Sequence, residues 1–76
     1  MTVDIADISL ENINLHYYNN TDNVKQMVQH IKNGGELPDV IVYKDKKNNK
    51  YVLADGIHRI CTYKQLNINQ IKIVFK

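Results

Sequence analysis

Cysteine is nearly absent from the chain: Cys61 stands alone among 76 residues, so no internal disulfide can form. Cysteine and histidine never occur together at zinc-ligand spacing, which excludes a zinc module as well. Long hydrophobic runs are missing too. The apolar stretch Val40–Tyr43 is as long as any, at four residues. A membrane-spanning helix needs about 20 apolar residues and a signal-peptide core about 7–15, so neither is read here. The expected location is cytoplasmic, with no membrane partner. A surplus of one charge is also lacking: ten basic and eight acidic residues leave a formal net charge of +2. Dedicated nucleic-acid binders of this size carry more positive charge, gathered on one face. Basic residues thicken only at Lys44, Lys46, Lys47 and Lys50, which read first as a solvated turn and alternatively as a weak nucleic-acid contact.

Against those absences, 43% apolar and 24% charged residues describe an ordinary globular chain. Its length fits one domain over residues 1–76 with a thin core. No repeat, low-complexity tract or linker divides it. Arginine occurs once, as Arg59, among nine lysines. Its planar fork holds phosphate oxygens in a way that a lysine point charge does not.

Periodicity predicts an α+β fold of order β-α-β-β-α-β, a mixed sheet packed by two helices. Val3, Ile5, Ile8 and Leu10 suit a first strand with an irregularity near Ala6–Asp7. Residues 12–20 read as loop. Val24, Met27, Val28 and Ile31 form a single helical stripe, with Thr21 or Asp22 as its cap and Gly34 as its left-handed stop. The β-branched run Val40–Val42 predicts a strand buried on both faces. Residues 45–50 turn the chain, Asn48-Asn49 accepting positive φ, and Tyr51–Leu53 returns as a hairpin. A helix over Ile57–Leu66 and a strand alternating Ile71, Ile73 and Phe75 complete the order.

The segment Tyr51–Arg59 carries the chemistry. A strand ends, Gly56 turns the chain, and a helix begins with His58 and Arg59 in its first turn. The first N–H groups of a helix lack intrahelical acceptors and carry about half a unit of positive charge. Gly56 allows close approach to an anion, Arg59 adds a two-toothed donor, and His58 adds one or two donors more. The bland alternative stays open: Arg59 pairs with Asp55 or another nearby carboxylate, and His58 is simply surface. His16, His30 and His58 share no common spacing, so no metal site is expected from them. Tyr17-Tyr18 either covers the cradle and stacks on a base or closes the small core.

Asp55-Gly56-Ile57-His58-Arg59, followed by Tyr63-Lys64-Gln65-Leu66 and preceded by Gly34-Gly35 and Leu37-Pro38, resembles the ParB/sulfiredoxin-like superfamily over roughly Val3 to Val74. The resemblance implies that the turn holds nucleotide phosphates, of ATP, ADP or CTP, with Mg²⁺. It implies Gly56, His58 and Arg59 as the binding residues, with Asp55 shaping the turn or helping to hold the metal. Sulfiredoxins place their catalytic cysteine just before the His-Arg pair, where this chain has Ile57; Cys61 reads as core. The free-serine kinases of the superfamily use a glutamate after the first strand, and Glu11 stands about one residue from that spacing. Should there be NTP hydrolysis or phosphoryl transfer, Glu11 and Asp55 are the candidate catalytic residues. The alternative is a non-enzymatic interaction protein of phage or mobile-element type, using the fold to contact DNA or a host protein. A homodimer is expected to form through an exposed edge such as Ile71–Phe75.

Overall fold

The computed structural model describes residues 1–10, 13–47 and 49–76. Five strands form one mixed sheet in the order β1-β5-β3-β4-β2. β1 spans Thr2–Asp4, β2 Ile8–Ser9, β3 Val40–Asp45, β4 Lys50–Asp55 and β5 Gln70–Phe75. The helices are α1 (Leu15–Tyr18), α2 (Asp22–Lys32) and α3 (Ile57–Gln65).

The first expected strand is in fact two. Asp4 caps a single 3-10 turn over Ile5–Asp7, its Oδ1 accepting the Ala6 N–H at 2.8 Å. That turn sends the two halves to opposite ends of the sheet: β1 runs antiparallel to β5, whereas β2 runs parallel to β4. Strands three residues apart in sequence thus bound a sheet that must curl to join them. Val3, Ile5 and Ile8 all turn into the resulting hollow, and each is buried.

Residues 13–20 also depart from the expectation of plain loop, Asn12 lying outside the described residues. Asn14 caps a four-residue helix, its Oδ1 accepting the His16 N–H at 3.1 Å. α2 follows its apolar stripe as expected, with the Thr21 hydroxyl accepting the Val24 N–H at 3.3 Å. Its end is a double C-cap: the Gly34 N–H reaches the Ile31 carbonyl and the Gly35 N–H the His30 carbonyl, Gly34 standing at φ +89°. His30 then folds back over Gly35 to meet the Glu36 carbonyl through Nε2 at 3.1 Å.

Two further expectations are corrected. β3 is buried on one face only: Val40 and Val42 are fully enclosed, Ile41 is half-buried and Tyr43 is 47% exposed. β5 is no edge, since β1 pairs with one side of it and β3 with the other. β1 covers Gln70–Lys72 and β3 covers Ile73–Phe75, so Ile71–Phe75 is an interior strand and not the exposed edge expected. The hairpin turn does use a left-handed asparagine, Asn49 at φ 54°; Asn48 lies outside the described residues.

The core joins Val40, Val42, Ile71 and Ile73 from the sheet to Ile60 of α3. Side chains of this kind contribute about 1.5–3 kcal/mol each when fully buried. Ile60 therefore pins α3 against the sheet one turn below its first residue, which fixes where the N-terminus of that helix opens.

Candidate functional site

β4 delivers Asp55 to the end of the sheet, and Gly56 turns the chain into α3. Gly56 has φ +116° and ψ 28°, a conformation L side chains rarely adopt. It is also buried: an added Cβ would lie 3.3 Å from Arg59 Nη1 and 3.4 Å from both methyls of Val40. Its carbonyl accepts the Ile60 N–H at 3.0 Å, the first bond of the helix. No side chain caps α3. The leading N–H groups of this helix accordingly have neither an intrahelical acceptor nor a capping oxygen.

The two side chains of the first turn diverge. Arg59 bends back across Gly56 and donates from Nη1 to the Asp39 carbonyl at 3.2 Å. Among the described residues Arg59 makes no ion pair with Asp55 or another carboxylate, the alternative the spacing left open. Hairpin geometry explains the neighbour that sequence reasoning missed. β3 and β4 are antiparallel, so the residues just before Val40 lie beside those just after Asp55, and Asp39 follows directly from that register.

His58 points to the other side, where its ring meets Tyr18 edge-on at 5.4 Å between centroids. Tyr18 in turn meets Tyr17 edge-on at 5.1 Å, and Tyr17 is 75% exposed. The segment carrying these rings is tied along α3. Cys61 Sγ approaches the Leu15 carbonyl at 3.8 Å, and Gln65 Nε2 donates to the Asn19 carbonyl at 2.7 Å. Tyr18, Ile13 and Leu53 wall a pocket of about 200 Å³ whose floor is Asp55, Gly56 and Ile57. The cradle therefore has a partial cover.

A second pocket, about 260 Å³, lies beyond Asp39, with Ile31, Leu37, Ile68 and Ile71 among its apolar walls. Tyr63 lines it one helical turn after Arg59. Burial pushes the Tyr63 hydroxyl above its ordinary range; the Arg59 guanidinium opposes the shift, and the Asp39 and Glu36 carboxylates add to it.

Asp55, Gly56, His58 and Arg59 share the β4–α3 turn because they are nearly contiguous in sequence, but the His58 and Arg59 side chains leave it in different directions. Glu11 lies outside the described residues. Asp55 is exposed, and no group of three or more metal-ligating side chains occurs among the described residues. Cys61 is fully buried on the core side of α3, and that burial raises its thiol pKa, the nearby Lys64 opposing weakly.

A curled five-stranded mixed sheet, with a glycine turn from β4 into a His-Arg helix start, defines a ParB/sulfiredoxin-like α+β domain. The chain belongs to the ParB N-terminal domain family, whose model matches residues 1–76. It is similar in structure to a conserved hypothetical protein from Pyrococcus furiosus, with a TM-score of 0.77 at 12% identity. All of this chain is covered, but it spans only 31% of that protein's length. It is likewise similar to sulfiredoxin from Arabidopsis thaliana, with a TM-score of 0.74 at 20% identity, covering 100% of this chain and 84% of the other. Identities this low establish the shared fold and nothing finer. No curated protein matches the chain.

Proposed function

We propose that the chain binds the phosphates of a nucleoside di- or triphosphate, ATP, ADP or CTP, at the Asp55–Arg59 turn. The observation that carries this reading is the uncapped start of α3, opened by a buried Gly56 with Arg59 laid across it. Three contributions add there. The leading N–H groups and the helix dipole favour an anion. Arg59, bonded among the described residues to the neutral Asp39 carbonyl, can turn its remaining donors to phosphate oxygens. His58, in the same first turn but packed against Tyr18, would supply a further donor by turning from that ring. Without an anion, the cationic first turn opposes the helix dipole, so binding relieves a local repulsion.

Gly56 fits the role on steric grounds, because a Cβ there would occupy the space between Arg59 and Val40. Mg²⁺ in this reading arrives on the phosphates, with Asp55 as the protein carboxylate best placed to join it. Asp55 would also be the nearest candidate base were phosphoryl transfer or hydrolysis to occur. Titration calorimetry with ATP, ADP and CTP, each with Mg²⁺, and with inorganic tripolyphosphate tests the reading. Saturable binding of the nucleotides, with tripolyphosphate competing, is expected. Heats indistinguishable from dilution for all four would reject it.

A further inference from the structure

The face of the sheet turned away from Ile60 exposes Tyr43 and Val74 beside the half-buried Ile41 and Val52, and we propose that it docks an acidic polypeptide segment carrying apolar side chains at its centre. Alternation along β3 sends Val40 and Val42 into the core and therefore Ile41 and Tyr43 outward. Register then sets Val74 beside Ile41 and Val52 beside Tyr43. Four apolar side chains thus adjoin across three neighbouring strands. Tyr43 is 47% exposed and Val74 43%, where an outward sheet face ordinarily carries polar groups.

Charge selects the occupant. Lys46, Lys47 and Lys50 surround the β3–β4 turn on or beside this face, with Lys44 on the opposite face of β3, and all four are exposed. Lys76 joins them from the end of β5, its N–H on the Val42 carbonyl at 2.8 Å. Asp45, whose Oδ1 accepts the Lys47 N–H at 2.9 Å, stands at the turn, and Asp7 lines one pocket with Lys50, which leaves the lysines in excess. The net charge of the whole chain is only +2, so this end of the sheet carries its positive excess. A second copy of the chain would oppose lysine to lysine. Nucleic acid would gain charge contacts and one ring to stack on, Tyr43, but would leave the aliphatic Ile41, Val52 and Val74 unmatched. An acidic segment with apolar residues at its centre matches both the centre and the rim.

The test uses the ¹⁵N-labelled chain titrated with three probes: a short peptide alternating glutamate with leucine and phenylalanine, the same peptide with lysine for glutamate, and oligothymidylate. The glutamate peptide is expected to shift the amides of Ile41, Tyr43, Val52 and Val74, and to bind more weakly as salt is raised. Tyr43→Ala should weaken it about tenfold, as loss of a central aromatic anchor does. Lys50→Glu with Lys76→Glu should weaken it comparably, and both variants should melt near wild type because the side chains are exposed. The proposal is overturned if the glutamate peptide leaves those amides unmoved or if folded Tyr43→Ala binds it equally. It is overturned too if the lysine peptide or oligothymidylate shifts them as strongly. None of these outcomes depends on nucleotide binding.

Discussion

Replacing Gly56 by alanine probes the turn on which the candidate site rests. Two penalties apply. The backbone stands at φ +116°, where an L residue is strained; conformations of this kind cost about 1–3 kcal/mol. The new methyl would also sit 3.3 Å from Arg59 Nη1 and 3.4 Å from two methyls of Val40. Arg59 can yield, at the cost of its bond to Asp39, but Val40 is fully buried and cannot. A loss of about 2 kcal/mol is expected, which in a chain of this length lowers Tm by about 8–16 °C. Thermal unfolding followed by circular dichroism measures it. A second readout separates strain from disorder: native-like near-ultraviolet spectra below the transition should persist. An alanine variant melting within a degree or two of wild type would refute the reasoning, since neither the positive φ nor the contact with Val40 would then be real.

Other perturbations follow from the same geometry. Cys61→Ala should cost about 1 kcal/mol by chemical denaturation, and a thiol reagent should label native Cys61 slowly; rapid labelling would contradict its burial. Tyr63 and Cys61 both have pKa values raised in the folded state, so the unfolded chain ionises first. Stability they contribute is full below their ordinary pKa values and is lost as pH rises through the folded ones. Denaturant midpoints should therefore fall above about pH 9–10, and the fall should shrink in Tyr63→Phe. Lys46→Glu with Lys47→Glu should leave any nucleotide affinity unchanged, because the hairpin tip and Gly56 lie at opposite ends of β4. Specific submicromolar DNA binding at physiological salt, lost in that pair, would make a nucleic-acid role the leading one.

Local pattern carried much of this structure and failed where pairing is remote. The stripe Val24, Met27, Val28, Ile31 and the Thr21 cap determine α2 from within a dozen residues, and the helix forms where they place it. Asp55-Gly56 likewise announces the entry to α3. The phase change between Ile5 and Ile8 was visible as an irregularity. That it parts two strands to opposite sheet ends depends on Val3 meeting Ile71 and Ile8 meeting Tyr51, contacts no window of residues contains. β5 looked like an edge for the same reason: alternation shows which face is buried but not which strands flank it. The short α1 escaped because four residues supply no periodicity. That Asp55, Gly56, His58 and Arg59 fall in one strand-to-helix turn was legible, because the turn is a single short stretch of sequence. The destination of the Arg59 side chain was not, because Asp39 reaches it only through the β3–β4 register.

The central claim is that Arg59 and the open start of α3 hold nucleotide phosphates. Thermal shift of wild type and Arg59→Ala, each with ATP, ADP, CTP and GTP in the presence of Mg²⁺, tests it most directly. At about a hundred times its Kd, a bound nucleotide stabilises the fold by roughly 2.7 kcal/mol, a shift of about 10–20 °C here. That shift is expected for at least one nucleotide in wild type and for none in a folded Arg59→Ala protein. No shift with any nucleotide, or equal shifts in the two proteins, would contradict it.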